Sequence, residues 1–232
     1  MNRVRLLGKV IQPPVYLRLD NGVPYLRLYV GVRRPAGRAD HVRVIGYHGI
    51  AEAYELFEPG KPIFVQGRFR TRKIRKAGRR VTIGEVVAAE VATAEAVITA
   101  GDGVVEGVGP GEDALAEVDP FTNNEAVFIG NLTHEPKFDL AGETPTLVLY
   151  LAVDRRAGGA DYPRVVAYDD LARISYPYLR KGSKVLVVGR LRVRKDTKHN
   201  ATVVETVAHN IVFLNNIDWE AGEAARREIG AE

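Results

Sequence analysis

The chain has 232 residues, of which 46% are hydrophobic and 27% charged, with a formal net charge of +4 and no cysteine. That composition suits two compact domains and excludes a disordered chain, a disulfide framework, a thiolate metal centre and a cysteine nucleophile. No apolar run approaches the roughly 18 residues of a membrane span, and Met1 to Val10 lacks the layout of a secretory signal, so a cytoplasmic protein is expected.

In chain order, period-2 alternation over Leu26 to Val32, Val42 to Val44 and Ile63 to Arg70 predicts strands. Between the last two, Ile50 to Phe57 has apolar residues at helical spacing and runs into Pro59 and Gly60, which predicts one or two helical turns. A hairpin follows whose loop region holds Arg72, Lys73, Arg75, Lys76, Arg79 and Arg80. Residues 101–112 are so rich in Gly and acid that burial of apolar surface cannot offset their ordering entropy, which marks 101–120 as a linker.

Beyond the linker the chain repeats itself. Tyr25 to Tyr47 aligns without gaps on Thr146 to Tyr168, and 12 of the 23 pairs are identical. Gly67 to Lys73 likewise matches Gly189 to Lys195, and Leu171 to Leu179 is the counterpart of the first helical segment, its last turn interrupted by Pro177. Two copies of one fold are therefore predicted: residues 1–100, the linker 101–120, residues 121–214, and a tail 215–232 with a short helix from Glu220 to Glu228. Three strands, a short helix and two strands around a basic hairpin loop are the order of an OB-fold, a five-stranded Greek-key barrel. The fold class is all-β, with two tandem OB-folds each carrying one short helix.

Charge is divided unevenly among these parts. Residues 1–100 carry 18 Lys+Arg against 8 Asp+Glu, for +10; residues 101–120 carry six acids and no base, for −6; residues 121–232 carry 15 of each. A strongly basic first copy points to a polyanionic partner.

Strand alternation sorts aromatic and cationic groups onto one face of each copy. The first copy gathers Arg27, Tyr29 and Arg33, then His41, Arg43 and Tyr47, then Arg68, Arg70 and Arg72, with Lys73 and Arg75 in the loop. The second gathers Tyr150, then Tyr162, Arg164 and Tyr168, then Arg190, Arg192 and Arg194. Rings interleaved with guanidinium groups are what a single nucleic-acid strand needs, since bases stack on π-faces while cations hold phosphates. Tyr29, His41, Tyr47, Tyr150, Tyr162 and Tyr168 are the candidate stacking groups, and the named cations the candidate phosphate contacts.

Motifs for chemistry are otherwise missing. The sequence has no phosphate-binding Gly-rich loop and no His pair at ligand spacing, and its five His are scattered. Asp161, Asp169 and Asp170 could be imagined as a metal cluster, but Asp169 and Asp170 read better as caps of the helix that follows. No enzyme, no cofactor and no metal is expected; a nuclease reading has no motif behind it.

Several runs carry a resemblance: Asn2 to Gly8, Leu151 to Arg156, Arg164 to Tyr168, Glu85 to Ala88, Glu205 to Ala208 and, most specifically, Tyr178 to Arg194. The chain resembles the bacterial single-stranded DNA-binding proteins, in the form with two OB domains per chain. The resemblance implies sequence-independent binding and protection of single-stranded DNA in replication, recombination and repair, and a homodimer presenting four OB domains. It implies that Tyr47, Tyr162 and Tyr168 sit where the family has base-stacking aromatics and that His41 replaces one. Ile74 and Asp196 fall where many members have a further aromatic. The family's acidic tip with its terminal carboxylate has no counterpart in Glu228 to Glu232, so recruitment of replication and repair proteins by that route is not expected; Ala116 to Phe121 looks like the tip but lies inside the linker. Two alternatives remain open: an accessory OB protein of replication restart or RNA binding, and a protein-interaction scaffold whose OB faces grip peptide.

Overall fold

In the computed structural model, residues 1–34, 37–76, 79–93, 96–99, 103–106, 123–140, 144–196 and 201–229 are described. Val4, Leu6, Gly8 and Val10 alternate with more exposed neighbours, and the strand they form, β1 (Asn2–Val10), turns that set into a core. The first copy continues with β2 (Val15–Arg18), β3 (Pro24–Arg33), β4 (Ala39–Tyr47), one helical turn α1 (Gly49–Glu52), a 3-10 turn Tyr54–Leu56, β5 (Pro62–Lys76) and β6 (Arg79–Ala92).

Strand β1 pairs antiparallel with β3 and β5, β3 with β4, β5 with β6, and β4 runs parallel to β6. The circuit β1-β3-β4-β6-β5 therefore closes, which removes exposed edges and makes a five-stranded barrel. Leu6, Leu26, Leu28, Ile63 and Phe69 fill it, and Ile50 of α1 is buried with them. At the β5 bulge a Cβ on Gly67 would collide with the Val87 carbonyl oxygen, and Gly189 meets Val207 in the same way in the second copy.

The second copy has β9 (Asn124–Leu132), β10 (Lys137–Asp139), β11 (Thr146–Asp154), β12 (Ala160–Asp161), β13 (Arg164–Tyr168), α2 (Asp169–Ser175), a 3-10 turn Tyr176–Tyr178 that accommodates Pro177, β14 (Lys184–Asp196) and β15 (Ala201–Asn215). Its circuit β9-β11-β13-β15-β14 closes as in the first copy, again with one parallel pair, β13 to β15. The expected all-β class and the two tandem OB-folds are what the structure contains. A helix α3 (Trp219–Ile229) ends the described chain, and Gly222 lets it lie against the ring of Tyr178, which also meets Phe213 and Trp219.

By contact density the chain forms two compact units. One comprises Met1–Asn2, Ala126–Arg192 and Glu205–Glu232; the other comprises Arg3–Glu125 and Val193–Val204. The same ion pair is built into each: Arg34 forks onto Asp40 at 2.6 and 2.8 Å, and Arg155 onto Asp161 at 2.6 and 3.0 Å. The bond to Asp40 raises the Arg34 pKa against the opposing effect of burial.

Three sequence expectations change. First, the stretch 101–120 is not all linker, because Gly103–Glu106 is a strand, β8, paired with β7 (Ala96–Thr99). A partner strand already docked on β6 satisfies its backbone groups, a gain that composition does not count. Residues 107–122, which include the Ala116 to Phe121 motif, lie outside those described. Second, the third strand of the second copy is interrupted: Tyr162 and Pro163 separate β12 from β13, since Pro163 has no N–H to give a ladder. Third, Asp169 and Asp170 do not cap α2. Tyr168 is the N-cap, with no side-chain cap bond, and the two acids occupy the first turn, where their charge complements the helix dipole. Asp161 is engaged by Arg155, and no group of metal-binding side chains occurs among the described residues.

Candidate nucleic-acid interface

Residues paired across neighbouring strands project to the same side of a sheet, so the register assembles the outer face row by row. In the first copy Leu17 pairs with Tyr25 and Tyr25 with Tyr47; Val15 pairs with Arg27 and Arg27 with Ile45; Tyr29 pairs with Arg43 and Gly31 with His41. Strands β5 and β6 add Arg68 opposite Val87, Arg70 opposite Glu85 and Arg72 opposite Ile83.

Tyr47 lies at the centre of this lattice. Its ring meets Tyr25 edge to face, with centroids 5.7 Å apart, and the Arg70 guanidinium carbon is 5.6 Å from its centroid. Arg70 NH1 donates to the Tyr47 hydroxyl at 3.0 Å, and Arg43 donates to the Tyr25 hydroxyl at 3.4 Å. Both rings are thus held at their polar ends by cations while their bodies stay half-exposed.

Beneath the cations lies Glu85, whose side chain is wholly buried. Its Oε1 accepts from Arg70 Nε at 3.0 Å and NH2 at 2.6 Å and lies 3.2 Å from Arg72 Nε, while Oε2 is 3.4 Å from Arg43 Nε. Burial would lower the Arg70 pKa, but its bonds to Tyr47 and Glu85 outweigh burial and raise it.

The second copy repeats the arrangement with fewer parts. Arg192 lies 5.2 Å from the centroid of Tyr168 and donates to its hydroxyl. Buried Glu205 accepts from Arg192 Nε at 2.9 Å and from Arg164. Tyr168 pairs with Thr146 where Tyr47 pairs with Tyr25, so the second copy lacks that ring. Tyr150 stands opposite Arg164 and meets His134 edge to face at 5.7 Å.

Of the candidate residues, Tyr47, Arg43, Arg70 and Arg72 come together around Glu85, and Tyr168, Arg164 and Arg192 around Glu205. Arg27, Tyr29, Arg68, Tyr150 and Arg190 are half-buried, whereas Arg33, His41 and Arg194 are exposed nearer the margins. Tyr162, 53% exposed, lies in the break before β13 and not in a strand. Lys73 and Arg75 are also placed differently from expectation. They belong to β5 and not to a loop, and alternation turns them to the opposite side of the β5–β6 arm from Arg70 and Arg72. Ile74 faces Val81 across the arm; the side chain of Asp196 is outside the described set.

Sequence reasoning missed Tyr25, Glu85 and Glu205. Tyr25 has Thr146 as its repeat partner, so a search for recurring rings passes over it. The two glutamates were visible only as the first letters of similar runs. Their signal was parity: each stands on the final strand opposite an alternating Arg strand, on the same face.

Comparison with known proteins agrees with the repeat. The model of the Single-strand binding protein family matches residues 1–94 and again 123–214. A single-stranded DNA-binding protein of Thermus aquaticus is 28% identical over 213 residues, covering 82% of this chain and 75% of that protein. One of Thermotoga maritima is 30% identical over 119 residues, 46% of this chain and 84% of that protein. The crystal structure of the wild-type Thermus aquaticus protein superposes with a TM-score of 0.69 at 25% identity, covering 97% of this chain and 98% of that one.

Proposed function

The chain belongs to the single-strand binding protein family, and from that premise we propose that it coats single-stranded DNA without regard to sequence, protecting it during replication, recombination and repair. Members of this family are binding proteins and not enzymes, and the same holds for this chain. The observation that carries the proposal is the repeated platform: a half-exposed tyrosine, Tyr47 or Tyr168, with a guanidinium against its ring on an outer sheet face. Bases that are not paired can stack on such rings, with a contribution of about 1–3 kcal/mol each that any base can supply. Arg27, Arg33, Arg68, Arg190 and Arg194 flank the platforms as the proposed phosphate contacts, joined by Lys73 and Arg75 on the other side of the β5–β6 arm, and Tyr29, His41, Tyr150 and Tyr162 are the further stacking groups.

The proposal extends to a homodimer acting in the cytoplasm. Val212 and Leu214, alternate residues of β15, are 42% and 46% exposed, an apolar strip that a second copy of the chain would cover. No helix among the described residues is long and apolar enough to cross a membrane.

The test is a titration of the full chain with oligo-dT, duplex DNA and RNA of equal length over a range of salt. Oligo-dT is expected to bind far more tightly than the duplex, because stacking needs unpaired bases and only backbone contacts survive on a duplex. Equal affinity for the two would overturn the proposal.

A further inference from the structure

Glu85 and Glu205 are carboxylates without exposure on a face whose business, in the function proposed above, is to bind a polyanion. Each removes charge from that face and repels phosphate. Burying a carboxylate is costly unless it is paired and bonded, and both are, to the arginines nearest the stacking rings. The geometry points to a role for them in selectivity: Glu85 and Glu205 are positioning residues that commit Arg70 and Arg192 to the rings of Tyr47 and Tyr168 and so withhold charge from duplex DNA.

Three observations carry this inference. Arg70 gives two of its five N–H donors to Glu85 and one to Tyr47, so the plane of the guanidinium is fixed from within the protein. Arg192 is bound in the same way, with Nε on Glu205 and NH2 on Tyr168. A guanidinium so engaged is held in one plane beside its ring, and only its remaining N–H donors are left for a phosphate. Second, the charge at each platform is set by the carboxylate. Arg43, Arg70 and Arg72 lie around Glu85, and Arg164 and Arg192 around Glu205, so in each copy one carboxylate offsets one of the cations gathered on the face.

The third observation is that the pairing survives a change in the hairpin. Arg70 and Glu85 are 15 residues apart, Arg192 and Glu205 are 13. Partners across a hairpin share a face whatever the length of its turn, so the contact is kept in two hairpins of different length.

The consequence for selectivity follows from counterion release. Each phosphate neutralised steepens log K against log[salt] by about 0.9 on duplex DNA and about 0.7 on a single strand. Uncommitted cations therefore favour the duplex, and rings favour the single strand. Neutralising Glu85 or Glu205 would release guanidiniums to bind phosphate of either kind and loosen the tyrosines.

This inference rests on single-strand binding, and one experiment separates the two. Oligo-dT and duplex DNA of equal length are titrated over a range of salt against the full chain, Glu85→Gln and Glu205→Gln, with circular dichroism confirming the fold. Preference of the unaltered chain for oligo-dT supports the function; its absence removes the function and the inference with it. Given that preference, each Gln variant is expected to gain duplex affinity at low salt with a steeper salt slope, and to lose single-strand preference by about fivefold or more, the lower end of one lost stacking contact. An unchanged ratio and slope in folded variants would overturn the inference alone. Arg70→Lys covers the case in which a Gln variant does not fold, since it keeps the charge but loses the planar fork. Weaker oligo-dT binding with unchanged slope and unchanged duplex affinity is expected; full retention of oligo-dT affinity would show that Arg70 is only a phosphate cation and overturn the inference.

Discussion

Arg70 donates a hydrogen bond to the hydroxyl of Tyr47 at 3.0 Å while its guanidinium carbon lies 5.6 Å from the centre of the same ring. The cation approaches the ring and takes its polar end, so the tyrosine has neither its hydroxyl to satisfy nor much freedom to turn. Such a ring is prepared for stacking before any base arrives, which reduces the ordering cost of binding. Tyr168 and Arg192 repeat the relationship.

Tyr168→Ala is expected to weaken oligo-dT binding by about 1–3 kcal/mol with little change in salt slope, since a ring releases no counterion. Tyr25→Ala is expected to fall in the same range, because Tyr25 meets Tyr47 edge to face and stands beside it on the sheet. Thr146→Ala, at the matching position of the second copy, should cost little. Fluorescence titrations at several salt concentrations read both quantities, and equal losses from Tyr25 and Thr146 would mean that Tyr25 is not a platform.

Arg34→Ala and Arg155→Ala are expected to destabilise the fold by about 2–4 kcal/mol each. Removal of either leaves a nearly fully buried carboxylate, Asp40 or Asp161, without its fork. The partial exposure of both arginines places the loss toward the lower end of that range. Urea unfolding measures it, and a change under about 0.5 kcal/mol would show the pairs to be ornamental.

The fold was legible because its signal is repeated. Twelve identities in 23 positions between Tyr25 to Tyr47 and Thr146 to Tyr168 could only mean two copies, and alternation in Leu26 to Val32 or Ile63 to Arg70 could only mean strands with one face inward. What escaped depends on partners distant in sequence. Gly103–Glu106 becomes a strand because β7 is there to pair with it, and Glu85 is buried because Arg43, Arg70 and Arg72 reach it from two other strands. The Arg rows were visible as cations in search of phosphate; that the nearest acid belongs to the protein itself required the register of β5 on β6.

His209, exposed on β15, has a pKa lowered first by partial desolvation from its neighbours and second by the nearby charge of Arg190. Its folded pKa lies below the unfolded value, so the unfolded chain takes up protons first as pH falls. Stability is therefore expected to be full above about pH 6.5 and to decline as pH falls from there toward the lower folded pKa, with no further loss from this residue below it. Thermal unfolding between pH 8 and 5 should show the decline, and His209→Gln should remove part of it. A His209→Gln variant with an unaltered profile would assign the decline elsewhere.

A second copy of the chain is expected on the strip formed by Val212 and Leu214. Light scattering at micromolar concentration should report twice the 25.5 kDa of one chain, and Val212→Glu with Leu214→Glu should return the monomer by placing charge in an apolar contact. A stable monomer of the unaltered chain would remove this expectation.

The two copies are expected to divide the work unequally. Residues 1–100 carry +10, while residues 121–214 carry 13 bases against 10 acids, or +3. The first copy should therefore contribute the larger share of the salt slope, although Tyr25 gives it a ring that the second lacks. At the outer end of the third strand the balance reverses: His41 stands where the second copy has Tyr162, and an imidazole offers a smaller stacking surface than a phenol ring. In the intact chain, Tyr162→Ala should cost more affinity for oligo-dT than His41→Ala, with neither changing the slope at pH 8. Arg75→Ala, on the arm of the first copy, should flatten the slope by up to about 0.7, one phosphate on a single strand. A larger loss from His41→Ala would contradict the assignment of stacking at this position to the second copy, and a slope untouched by Arg75→Ala would place the strand on the Arg70 side of the arm alone.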